Sequence, residues 1–167
     1  MAYSFDGSMA TLRAQLPELR AIAQLPEEHL FAVKQQVSGW CPAEHLDHTV
    51  KVAQSIVYRL ADATAEPSPR GISFAGRAVL LLGWIPRGVG KAPERLRAVR
   101  CSVTDLEARI GRYETALAAV TVPAGTAARL PIVPHPRFGG LTPAEAMRFA
   151  AVHTRHHLRI VADVLKR

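Results

Sequence analysis

The final stretch, LTPAEAMRFAAVHTRHHLRIVADVLKR at 141–167, restricts the fold of this chain more than any other. Thr142-Pro143-Ala144-Glu145 is a capping box with proline at the first helical position, a strong start signal for a helix. Beyond it, Met147, Ala150, Ala151, Thr154, Leu158, Val161 and Leu165 recur at helical spacing and form one apolar stripe. Arg148, Arg155, Arg159 and Lys166 share the opposite side, which is therefore solvated. His153 and His157 flank the stripe one turn apart, and His156 falls between the two sides. Imidazoles at i and i+4 project from the same side of a helix, so both can reach one metal ion. An inward imidazole without a partner carries a desolvation cost, which a metal, a carbonyl or a water removes. Such a helix must bury its stripe against other helices. A metal between its histidines would need a third ligand from one of them.

The best candidate for that ligand is His48, in CPAEHLDHTV. Pro42 suits the first position of a helix running to about residue 63, and Glu44 the third, where it bonds back to the cap. Leu46, Val50, Ala53, Val57 and Leu60 form its apolar centre. His48 lies at the edge of that arc, and His45 falls about 60° further round. HTRHH is not a zinc-protease helix, because Thr154 stands where the general-base glutamate must follow the first histidine.

The rest of the chain also reads as helix. Met9, Leu12, Leu16, Leu19 and Ala23 keep helical spacing over 8–24, with Pro17 expected to kink or divide the pattern. PEEHLFAVKQQV starts a further helix at Pro26, with His29 a surface or packing residue. DATAEPSPRG at 62–71 is a loop, and ISFAGRAVLLLGWI after it a short, largely buried helix. Thr104-Asp105-Leu106-Glu107 is a capping box for a helix carrying Leu106, Ile110, Tyr113, Leu117 and Val120. Residues 121–140 form a long Pro/Gly-rich connection. Four principal helices with such connections argue for an all-α bundle in a single domain over 1–167.

Composition narrows the function classes. The chain is 49% hydrophobic and 21% charged, ordinary for a globular protein and not for a disordered one. Net charge is +7, but the aromatics do not interleave with basic residues, so a nucleic-acid partner is not expected. Arg87, Lys91, Arg95, Arg97 and Arg100 make 86–103 an anion-friendly loop. Gly90-Lys91 is no phosphate-binding loop, since Ile85 replaces the earlier glycine and Ala92 the magnesium-holding hydroxyl. Cys41 and Cys101 imply no disulfide framework, and a cytoplasmic location is the expectation. No signal peptide is visible, and AVLLLGWI at 78–85 is far short of the ~20 residues that span a bilayer.

WCPAEHLDHTV at 40–50 and HPRFGGLTPAEAMRFAAVHTRHHL at 135–158, together with IPRGVGKAPE at 85–94, resemble the DinB-like (YfiT-like) superfamily. The closest likeness is to a branch with an HPxFG loop before the last helix. The resemblance spans nearly the whole chain. It implies an up-down-down-up four-helix bundle with short extra helical turns, often dimeric. It further implies a divalent metal (Zn2+, Ni2+ or Fe2+) held by three histidines, which map onto His48, His153 and His157. Some relatives are thiol transferases or hydrolases, so a thiol or other small-molecule substrate is implied; a non-catalytic dimeric bundle is the alternative. Asp47, Glu44 and His135 are the candidate bases, and Cys41 a remote candidate nucleophile. The chain departs from the family pattern at Cys41, where a capping Ser is usual, at Ala146 for Trp, and at Ile160 for Gln.

Overall fold

The computed structural model describes residues 3–88, 90, 92–121 and 125–166. Four long helices form the bundle: α1 (Phe5–Ala23), α3 (Pro42–Ala61), α5 (Val103–Ala119) and α6 (Pro143–Leu165), with α2 (Glu27–Leu30) and α4 (Phe74–Leu82) short. β1 (Val133–His135) and β2 (Gly139–Leu141) pair as an antiparallel hairpin.

Each long helix begins where a side chain can satisfy its first free amides. Ser4 Oγ accepts the Gly7 amide in α1, and Glu44 Oε2 accepts the Cys41 amide at the head of α3. In α6 the expected box is complete: Thr142 Oγ1 accepts the Glu145 amide and Glu145 accepts the Thr142 amide. The head of α5 differs from expectation. Its cap is Ser102, which accepts the Asp105 amide at 3.1 Å, so the helix begins before Thr104.

α6 packs against α1 and α3, and α5 packs against the same two from the other side. Tyr3 lies beside Glu145 and Lys34 reaches the Lys166 carbonyl, so α1 and α6 run the same way. His45 meets His157 and His48 meets His153, so α3 runs opposite to α6. Asp47 meets Arg109 near the starts of α3 and α5, and Arg59 near the end of α3 holds the Ile132 carbonyl beyond α5. The order is up-down-down-up. The core is what the spacing predicts: Leu12 and Leu19 from α1, Leu46 and Val50 from α3, Leu106 and Ile110 from α5, Met147 and Ala150 from α6.

Four local expectations need correction. Pro17 does not divide α1; it sits on the exposed side, where the carbonyl it leaves unbonded faces solvent. The helix expected from Pro26 stops after one turn at Leu30. No apolar stripe continues, since Val33 is exposed, and a tight turn closed by Val37 and Ser38 amides on the Lys34 carbonyl follows. α4 forms but is not largely buried: only Gly76 and Leu80 are, while Phe74, Leu81, Leu82 and Trp84 are 88%, 69%, 72% and 54% exposed. Lying outside the four-helix ring, it meets the bundle chiefly through α6. The connection before α6 contains a hairpin because two glycines allow it. Gly139 has φ +80°, and a Cβ there would lie 2.5 Å from the Gly71 carbonyl oxygen. Gly140 donates to the Arg70 carbonyl and Ser73 to the Phe138 carbonyl, so the hairpin is pinned to the loop before α4. Among the described residues, no helix is long and apolar enough to cross a membrane.

Candidate metal centre

His48, on the second turn of α3, meets His153 and His157 in the middle of α6. Nε2 of His153 lies 3.2 Å from Nε2 of His48 and 3.2 Å from Nε2 of His157. One ligand atom from each of the three falls within 4.8 Å of the others, a grouping that could hold one metal ion. Two nitrogens bound tetrahedrally at zinc distance stand roughly 3.3 Å apart, so the two short spacings fit a shared cation.

Protonation strengthens the fit. Burial pushes the His48 imidazole below its usual pKa. It pushes His153 and His157 well below theirs, and at these two the neighbouring rings add to the effect. The rings are therefore uncharged near neutral pH. A carbonyl only accepts, so the 2.6 Å contact with the Leu96 carbonyl places the His48 proton on Nδ1 and leaves its Nε2 bare. A single proton on His153 Nε2 cannot serve both 3.2 Å contacts well, and if that atom is bare, its contact with His48 sets lone pair against lone pair. A cation resolves this by accepting all three lone pairs.

The outer shell is built by the start of α3 and the strap that follows α4. Asp47, next in sequence to His48 and fully buried, accepts Lys51 at 2.7 Å and the Val99 amide at 2.9 Å. Arg109 stands 3.2 Å from its other oxygen, and Cys101 Sγ lies 3.5 Å from it. Lys51 also holds the Arg97 carbonyl. This clasp fixes the strap from which Leu96 offers its carbonyl to His48. Trp40 covers the cluster, with its ring 5.2 Å from His48, 5.4 Å from His45 and 6.3 Å from His157.

His45 was not among the residues picked out by sequence. Its Nδ1 lies 2.9 Å from Nδ1 of His157 and its Nε2 lies 2.9 Å from Ser38 Oγ. The apolar arc assigned it a place away from the site. The available signal was its i,i+3 spacing to His48, which puts both on one side of α3.

The other candidates have different employment. Glu44 and Glu145 are engaged as helix caps. Asp47 is held in its clasp, and Cys41 is buried at a helix head, where burial pushes its thiol pKa up. His135 accepts the Arg137 and Phe138 amides on Nδ1 and stacks on Phe138 at 4.3 Å. His156 packs 5.0 Å from the His157 ring but bonds the Ile85 backbone. In the basic loop, Arg87 pairs with Asp163, Arg97 with Glu94, and Arg100 lies over the Phe31 ring. Lys91, the central residue of the rejected phosphate-loop reading, is outside the described residues.

Comparison with known proteins adds one match. The DinB superfamily family model matches residues 8–161. No curated protein and no solved structure matches this chain. The matched span includes all four bundle helices nearly whole and the three converging histidines, and on it the chain belongs to the DinB superfamily.

Proposed function

We propose that His48, His153 and His157 ligate one divalent metal ion, Zn2+, Ni2+ or Fe2+, and that the protein is a metal-dependent thiol transferase or hydrolase acting on a small molecule. The observation that carries this reading is the convergence of three uncharged Nε2 atoms whose own protons cannot satisfy one another. A divalent ion on three neutral imidazoles keeps coordination positions open and lowers the pKa of a thiol or water that reaches it. The chain's own residues supply the rest. Burial keeps the ligands uncharged, the Leu96 carbonyl turns the His48 lone pair inward, and Trp40 shields one side of the cluster from water.

A second reading has an observation of its own. Of the candidate bases, Glu44 is engaged as a helix cap, Asp47 in its clasp, and His135 takes two loop amides on Nδ1. That favours a non-catalytic bundle that binds a metal or small ligand, and in either reading we propose a homodimer. Metal analysis of the purified protein beside His153→Ala tests the shared premise. Near-stoichiometric metal in the first and little in the second is expected; equal, negligible metal in both sinks it. Turnover of a thiol substrate that survives complete metal removal would reject the catalytic reading.

A further inference from the structure

One imidazole at the centre is left without a task. His45 is buried, and of its two ring nitrogens one faces Nδ1 of His157 and the other Ser38 Oγ, each at 2.9 Å. Ser38 Oγ also accepts the Trp40 amide at 3.0 Å, so it sits at the end of a chain from His157 through His45 to the turn before α3. Neutral imidazole carries one proton, and a contact of 2.9 Å between two such nitrogens needs one donor and one acceptor.

Two arrangements satisfy the chain, and they have opposite consequences. With the shared proton on His45 Nδ1, neutral His157 carries its proton on Nε2, aimed at His153 and blocking a cation. With the shared proton on His157 Nδ1, its Nε2 is bare and faces the other two. His45 then holds its own proton on Nε2 and donates it to Ser38 Oγ, whose second lone pair already takes the Trp40 amide. His48 has its tautomer set by a carbonyl that can only accept. His157 relies on a group that can do either.

We propose that His45 is a positioning residue for the metal centre: it accepts the Nδ1 proton of His157, donates its own to Ser38, and so presents the bare Nε2 of His157. This rests on the three-histidine reading of the site. Partners of this kind on the far nitrogen of a metal-bound histidine typically change metal affinity by 10–100-fold.

The test uses the full chain, stripped of metal, as native protein, His45→Asn and His45→Phe. Asparagine can place its amide oxygen close to where Nδ1 stood and still accept; phenylalanine fills the space and cannot. Co2+ affinity is measured by competition with a chromophoric chelator, and the His157 tautomer by long-range 15N–1H correlation in the metal-free protein. Weakening by ~10–100-fold in His45→Phe is expected, with His45→Asn within roughly threefold of native. His157 should carry its proton on Nδ1 in the native protein and in His45→Asn, and lose that preference in His45→Phe. Equal weakening in both variants would overturn the proposal, because it marks packing and not acceptance, and so would native-like affinity in His45→Phe. Absence of Co2+ binding by the native protein overturns the three-histidine reading. The tautomer still judges His45 in that case, and a His157 proton found on Nε2 in the native protein refutes its role.

Discussion

Tyr113 on α5 is the largest fully buried side chain, and its hydroxyl finds no hydrogen-bond partner among the described residues. Burial drives its phenol pKa upward, so it stays protonated as an unmatched polar group in the core. Removing an unsatisfied buried hydroxyl recovers its desolvation cost. Tyr113→Phe should therefore raise stability by about 1 kcal/mol in urea denaturation; a loss of similar size would show that the hydroxyl is bonded. At this scale sequence patterning worked for core residues and less well for polar ones. Tyr113, Ile110 and Leu117 were all legible from helical spacing, because apolar burial follows the helix period. His45 was not, because its place depends on which turn of α6 lies opposite, a matter of axial register between helices and not of any one helix.

Among the elements, α4 departs furthest from what its residues suggest. Its apolar run reads as core, yet most of its large side chains face solvent, with Trp84 just beyond its end. Exposed apolar patches of this kind mark interaction surfaces. We propose this face as the contact between the two copies of the proposed homodimer. Light scattering should then give twice the chain mass for the native protein and the single-chain mass for Leu81→Glu/Leu82→Glu. Single-chain mass for both would remove the dimer. The hairpin before α6 makes the converse point. Residues 121–140 read as a Pro/Gly-rich connection, and pairing of Val133–His135 with Gly139–Leu141 appears because the loop before α4 supplies partners that close on Gly139 and Gly140.

For the whole molecule, the histidines make stability depend on pH. His45 and His135 are pushed down to about 4 by burial, and His48, His153, His156 and His157 are all lowered. A base whose folded pKa is depressed binds protons more readily when unfolded. Stability is therefore fully present above the unfolded value near 6.5 and falls as pH drops from there toward 4. Loss on the order of 2 kcal/mol or more between pH 7.5 and pH 5 is expected for the metal-free protein by urea denaturation. Equal stability at the two pH values would contradict the burial of these rings. Loaded with metal, the protein should hold its ion to lower pH than free imidazoles would, because burial already holds the three ligands' pKa values down, and release it as acid protonates them.

What the sequence determined by itself was local and periodic. The capping box of Thr142 and Glu145, the stripes of α1, α3, α5 and α6, and the i,i+4 spacing of His153 and His157 follow from backbone geometry and side-chain chemistry within one helix. With the family resemblance, His48 could be set beside them. Only the tertiary structure decided the remainder: the antiparallel register that brings His45 to His157, the strap that brings the Leu96 carbonyl to His48, and the exposure of α4. Each depends on how far one element slides along or stands off another. That displacement is set by packing of the whole core, and no single segment encodes it.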